Sequence, residues 1–320
     1  MVIIKMKGGL GNQLFQYALY LELKSRGREV KIDDITGFRD DVQRNPALGV
    51  LGIKYNRATM DEYIEITDSY MDMASRIRRK LTGRKTLEYN EKDGNFDEAV
   101  LEMKNAYLVG FWQSDKYFEN KEVRKNLRGE LLAPKEQIIE KAGMNELLEQ
   151  IRNTEAVSVH IRRGDYLQEG TVETFGGICT GEYYLKAMEH IRRKCPSAVF
   201  YIFSNDIAWV KRHYTGDDIV CVEMNEENFA GGDAAVEGTL GGEDAITNND
   251  KENIQARFDA AEMYLMSECR HHILANSSFS WWSAWLSEVG ADHMILAPDK
   301  WLNTKEMNDI YTPYMTKIHV

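Results

Sequence analysis

Five short apolar runs, at 156–161, 198–203, 219–223, 272–275 and 294–297, are separated by stretches whose apolar residues recur at helical spacing. Such alternation constrains the chain more than any other feature. Strands joined by helices run parallel, and a parallel sheet needs helices on both faces. The intervening helices are expected around 183–195, 207–213, 255–269 and 278–289. The chain opens in the same way. "VIIKM" (2–6) reads as a strand and "KGGLGN" as a turn. Leu14, Ala18 and Leu21 then mark one face of a helix ended by Gly27, and "EVKID" (29–33) is a second strand. "AYLVGFW" (106–112) is another strand, followed by the helical "DKYFENKEVRKNLRGEL", whereas 45–84 is mixed and charged and shows no clear order. A chain of 320 residues is long for one core. The expectation is therefore an α/β protein of two lobes, 1–153 and 154–300, with a cleft between them and a tail, 301–320, that folds back on the first lobe. Glu226–Glu252, rich in Gly, Asn, Asp and Glu, reads as a mobile loop.

A formal charge of −11 argues against duplex nucleic acid or an anionic membrane as the main partner. The four cysteines show no CxxC spacing and read as free thiols of a reducing compartment. The opening stretch is too short and too soon broken by glycine for a secretory or spanning segment, which points to a cytoplasmic protein, with peripheral residence at the inner membrane face as a variant.

In open parallel sheets, ligands bind beyond the carboxyl ends of the strands. Four motifs lie there. "KGGLGNQLF" (7–15) can bring backbone and a helix N-terminus close to an anion, or be a plain tight turn. Asp33, about twenty residues on, mimics the ribose-binding acid of dinucleotide folds, although Leu14 stands where a third glycine is needed. "SVHIRRGDY" (158–166) sets His160 and Arg162 at and beyond a strand end, where a guanidinium fork suits phosphate oxygens. Arg163 and Asp165 read as a local pair bracing the loop, and "RGD" alone also suggests an adhesion tripeptide. In "FSND" (203–206), Asp206 can cap the following helix or accept two N–H groups from a guanine edge. In "ANSSFSWWSAWLSEVG" (275–290), Phe279, Trp282, Leu286 and Val289 share a core-facing stripe with Gly290 as a cap, while Asn276, Ser277 and Ser278 precede the helix as an anion cradle. His271 and His272 lack metal-ligand spacing and read as structural. Together these features point to an enzyme that handles a nucleotide diphosphate with no built-in metal site. Two alternatives are an NAD-dependent oxidoreductase using the N-terminal glycine turn and a non-catalytic nucleotide-binding module.

"GGLGNQLFQYA" (8–18), "HIRRGDY" (160–166), "FSNDIAWV" (203–210) and "LMSECRHHILANSSFSWWSAWL" (265–286) resemble, in this order, the bacterial α-1,2-fucosyltransferases, and more distantly the α-1,6- and protein O-fucosyltransferases. The resemblance implies a GT-B-like fold of two Rossmann-like lobes, GDP-fucose held by the second and the acceptor by the first. It also implies inverting transfer to a β-galactoside, lipid-linked in some relatives, with no cofactor or metal. It puts Arg162 on the β-phosphate and His160 beside the nucleotide. Asp206 falls on guanine, Asn276, Ser277, Ser278 and Phe279 in the nucleotide loop, and Gly11 and Asn12 near the pyrophosphate. The family often has Asp at Asn205 and Gly at Ser283; neither departure removes a needed group. Asp165, Glu169 and Glu173 are open as general bases. On the acceptor side "GFWQSDKYF" (110–118) offers Trp112, Gln113 and Asp115 to a sugar, or else a strand end and a cap at Ser114.

Overall fold

The computed structural model describes residues 1–39, 41, 44–223, 248–287, 290 and 292–319, with the side chains of all but 165, 167 and 248–253. Two compact units result: 1–130 with 308–310, and 131–307 with 311–320.

The first unit holds a four-stranded sheet of β1 (Val2–Lys5), β2 (Val30–Asp33), β3 (Glu88–Asn90) and β4 (Ala106–Val109), in the order β2-β1-β4-β3. Every pairing is parallel. Val2, Ile3 and Ile4 are fully buried because β1 is an inner strand covered on both faces. Helix Leu10–Ser25 makes the crossover to β2, and Gly27 follows it with φ 73°. The unordered 45–84 stretch resolves into a 3-10 turn and two helices, Met60–Thr67 and Met73–Thr82. The first of these has a capping box, Thr59 with Glu62, and the second is capped by Asp72. β3 lies outside the expected strands. Of its three residues only Tyr89 is sheltered, so it carries no apolar run.

The second unit carries a six-stranded sheet: β5 (Glu155–Ile161), β6 (Ala198–Ser204), β7 (Ile219–Cys221), β8 (His271–Ile273), β9 (Ile295–Pro298) and β10 (Met315–Ile318), ordered β10-β9-β8-β5-β6-β7. All are parallel, as expected. The five expected strands are present, and the tail supplies a sixth. The tail does not fold back as a whole: β10 extends the second sheet, and the first unit takes only Asn308–Ile310. There Asn95 Oδ1 accepts from the amide of Asn308 at 2.8 Å, and Asp309 accepts from the Phe96 amide at 3.0 Å.

The division falls after Glu130, not at the expected Asn153. Helices Lys135–Lys141 and Asn145–Arg152 pack on helix Asn248–Glu268 of the second unit. Glu268 gathers Lys135 and, at 2.8 Å, the Nε of Arg152. Helix Asn248–Glu268 begins earlier than 255, so the last residues of the expected 226–252 loop are helical; the rest of that loop lies outside the described residues. Helix Ser278–Leu286 ends at Ser287, short of the expected Gly290 cap; Val289 lies outside the described residues.

Candidate functional site

In the second sheet, the chain runs outward from β5 to β6 and β7, then returns to the other side of β5 with β8. The strand order therefore reverses between β5 and β8. A crevice at their carboxyl ends is where such a sheet binds ligands, and three of the four motifs meet there.

His160 lies at the end of β5, 97% buried, with its ring centroid 5.5 Å from that of Phe279 beyond β8. Its carbonyl accepts from Tyr184 Oη at 2.9 Å, which fixes the last turn of the strand. Arg162 is half-buried just past the strand end, its guanidinium 5.7 Å from the Tyr166 ring. Tyr166 Oη donates to the carbonyl of Asn276 at 3.1 Å and ties this turn to the exit of β8. Ser277 begins helix Ser278–Leu286 as its N-cap, accepting from the Phe279 amide at 3.3 Å, and Ser278 and Phe279 are half-buried beside it.

The other side of the turn is tied to β6. The Arg163 amide donates to Asn205 Oδ1 at 3.0 Å, and its guanidinium stacks 3.8 Å over Trp209, with Nε 3.5 Å from Asp206. Arg163 does brace the loop, but through Asp206 and Trp209; the side chain of Asp165 lies outside the described residues. Gly164 lets Asn205 come close, since a Cβ would stand 2.5 Å from Asn205 Nδ2 and push that side chain aside. Asp206 caps helix Ile207–His213 by accepting from the Trp209 amide at 3.1 Å. A carboxylate offers about four acceptor positions, so the cap and Arg163 leave it capacity for a ligand.

Asn276 stands apart from the other loop residues. It is almost fully buried, and its Nδ2 donates to the Trp301 carbonyl at 3.1 Å while Cys179 Sγ donates to its Oδ1 at 3.4 Å. Its side chain is thus committed to holding neighbouring loops, not facing the donor as expected. Asn276→Ala should cost about 1–3 kcal/mol in urea denaturation, because buried carbonyls lose a donor. An unchanged midpoint with weakened GDP binding would return Asn276 to the donor side. Of the possible bases, Glu169 and Glu173 are exposed.

Sequence reasoning passed over Glu262. It sits on helix Asn248–Glu268, and burial pushes its carboxyl up to about 8, with Asp259 adding to the shift and Arg162 opposing it. A lone acid on a helix between apolar residues carries no signal in one sequence; only the fold brings it within electrostatic reach of Arg162.

In the first sheet the order reverses between β1 and β4. Gln16 is fully buried there and donates to the Gly110 carbonyl at 3.1 Å and to that of Lys7 at 3.3 Å, joining the two strand exits. Gly8 adopts φ 79°, Gly11 is buried in the first helical turn, and Asn12 Oδ1 accepts from Gln113 Nε2 at 2.6 Å. Trp112 cannot serve as a sugar platform as it stands. It is fully buried at φ 57°, beside Tyr89 and Tyr117. Glu91 holds that turn by accepting from the amides of Phe111 at 2.8 Å and Trp112 at 2.9 Å. The half-buried aromatic at this position is Phe111, with Lys7 Nζ 4.5 Å from its ring centroid. Asp115 is paired with Arg124 at 2.9 Å, and Ser114 caps the 3-10 turn Asp115–Phe118.

Asp33 does not resemble a ribose ligand in its surroundings. Burial raises its carboxyl, but bonds from Thr36, Tyr107 and Ile35 outweigh this and hold it below the usual range. With Tyr107 Oη at 2.6 Å and two amides at 3.0 and 3.1 Å, its oxygens are spent on the fold. That removes the residue on which the oxidoreductase alternative stood. His272 is structural, bonded through Nδ1 to Ser158 at 2.7 Å. His271 lies with Glu155 and Cys195 at the amino end of the sheet, their ligand atoms within 4.8 Å of one another. The Met294 amide already donates to His271 Nδ1 at 3.1 Å, and Arg270 holds Glu155 at 3.0 Å. All four cysteines are free thiols.

Among known proteins, the chain is 29% identical over 320 residues to an alpha-1,2-colitosyltransferase of Escherichia coli, spanning 96% of this chain and 94% of that protein. It is 28% identical over 141 residues to human galactoside alpha-(1,2)-fucosyltransferase 1, covering 44% of this chain and 31% of the relative. Among solved structures, the NodZ alpha-1,6-fucosyltransferase soaked with GDP-fucose aligns over 93% of this chain and 94% of its own at 13% identity, with a TM-score of 0.44. The family model for Glycosyl transferase family 11 matches residues 79–239 and 244–318, so it takes in the β5, β6 and β8 exits together. The chain belongs to glycosyl transferase family 11.

Proposed function

We propose that this glycosyltransferase moves L-fucose from GDP-β-L-fucose to O2 of a terminal β-galactoside, with inversion and without a metal ion or other cofactor. The observation that carries the reading is the gathering of His160, Arg162 and the Ser277–Phe279 helix start at the switch point of the second sheet.

The chemistry follows from charge. Breaking the sugar–phosphate bond leaves positive charge on the sugar and negative charge on GDP. Arg162 and the amides at the start of helix Ser278–Leu286 are preorganised donors for the departing diphosphate. Asp206 would read the guanine edge and His160 would flank the nucleotide. Gly11 and Asn12 would approach the pyrophosphate, and Gln113, bonded to Asn12, would line the acceptor side along with Phe111 in place of Trp112. The acceptor hydroxyl must also lose a proton, and Asp165, Glu169 and Glu173 are the carboxylates close in sequence to Arg162. Transfer of colitose is the second reading, favoured by the likeness to the E. coli colitosyltransferase.

One assay decides. Purified protein is given GDP-fucose or GDP-colitose, EDTA and a panel of β-galactosides; GDP release is followed and the product linkage read by NMR. GDP release with GDP-fucose, dependent on a galactoside and unaffected by EDTA, is expected. Turnover with GDP-colitose alone would replace the donor, and no turnover with any pair together with no GDP binding would overturn the reading.

A further inference from the structure

Exposed apolar side chains concentrate in one short stretch of the first unit. Met71, Met73, Ile77 and Leu81 are 81%, 74%, 52% and 80% exposed, and Tyr70 and Leu87 beside them are exposed as well. Met73, Ile77 and Leu81 stand at i, i+4 and i+8 of helix Met73–Thr82, so they form a single stripe. No residue of this helix is buried.

Its orientation is set from the opposite face. Arg78 and Arg79 both pair with Asp68, and Arg79 donates to the carbonyls of Asp68 at 3.1 Å and Tyr70 at 2.6 Å. Past the helix, Arg84 Nε donates to the Thr67 carbonyl at 2.9 Å. A surface helix ordinarily turns its apolar stripe to the core. Here the polar face is bolted down and the stripe looks outward. At 100° per residue Arg76 and Lys80 fall immediately beside the stripe. They and Lys85 are exposed, with no carboxylate partner among the described residues. On a chain of net charge −11, this is a cationic patch with an apolar crest.

We propose that residues 70–87 dock the protein on an anionic lipid bilayer. The stripe enters the boundary between headgroups and acyl chains, while Arg76, Lys80 and Lys85 meet lipid phosphates. Ten residues span about 15 Å, so the helix lies in the interface; among the described residues no helix is long and apolar enough to cross a membrane. Charge favours lipid over a second copy of the chain, because pairing two such patches would set cation against cation. The docking itself stands apart from the transfer reaction. Its consequence, an acceptor carried on lipid, rests on the transfer reading above.

The test is flotation of the full-length protein with vesicles of phosphatidylethanolamine and phosphatidylglycerol, against vesicles of phosphatidylcholine. Binding should be at least about tenfold tighter on the anionic vesicles and should weaken with added salt. Ile77→Glu with Leu81→Glu should lower it at least about tenfold, and Arg76→Glu with Lys80→Glu should abolish the anionic preference. Transfer to a water-soluble galactoside should stay unchanged in both double variants. Absent vesicle binding, or binding indifferent to these substitutions, overturns the proposal. So does lipid-free dimerisation abolished by Ile77→Glu with Leu81→Glu, which would assign the stripe to self-association. Vesicle binding as described in a protein that transfers no sugar leaves the docking intact and removes the transfer reading alone.

Discussion

Arg162→Ala is expected to lower kcat for sugar transfer by at least about 10²–10³, the loss seen when one preorganised oxyanion donor is removed, with the far-UV spectrum retained. Arg162 stands half-buried past the end of β5, at the reversal of strand order. Its planar fork can hold two phosphate oxygens at once. Arg162→Lys keeps the charge but loses the fork, so it should recover only part of the rate. Arg163 provides the internal control. Its guanidinium is already stacked on Trp209 and set against Asp206, so Arg163→Ala should act on the order of the 163–166 turn and on stability. Wild-type kcat in Arg162→Ala would sink the phosphate assignment, and equal losses in both variants would point to the loop as a whole.

Glu262→Gln is expected to stabilise the ligand-free protein at pH 8–9 and to leave it nearly unchanged at pH 5. Burial pushes the Glu262 carboxyl up from 4.5 to about 8, so at neutral pH the folded protein keeps a proton that the unfolded chain has released. Stability therefore falls as pH rises through the window between those values, and the loss is complete above it. A tenfold change in proton affinity is worth about 1.4 kcal/mol, so the loss across the window amounts to a few kcal/mol. Glutamine copies the neutral form and has nothing to ionise. Wild-type Tm should decline from pH 5 to 9 more steeply than that of the variant; parallel curves would show that Glu262 titrates normally.

Most of the second sheet was legible because its inner strands are short, mainly apolar stretches alternating with helical patterns, and the caps at Asp206 and Ser277 announce the helices that follow. The same pattern located His160 and Arg162, since residues just past a buried strand end have few places to go. What escaped was set by contacts distant in sequence. β10, "MTKI", is a partly exposed edge strand with two polar residues and reads as tail. Helices Lys135–Lys141 and Asn145–Arg152 carry ordinary amphipathic faces, and nothing in them says that the face meets helix Asn248–Glu268. Trp112 looked like a sugar platform because an aromatic beside polar residues usually is exposed; Glu91, some twenty residues earlier, turns the backbone and sends the indole inward. Helix Met73–Thr82 was opaque as well: its stretch reads as mixed and charged, and the outward-facing stripe shows only in the fold.

The membership of Asn308–Ile310 in the first unit bears on the order in which a nascent chain can finish folding. The four strands of that unit are complete once Val109 has emerged, yet the Phe96 amide and Lys116 must wait for Asp309. At a synthesis rate of about 5–20 residues per second, the wait is roughly 10–40 s. During it the second unit, too, lacks its edge strand β10. Loss of the last dozen or so residues would therefore strip bonds from both units at once, and a ribosome that stalls short of Asn308 holds two unfinished bodies.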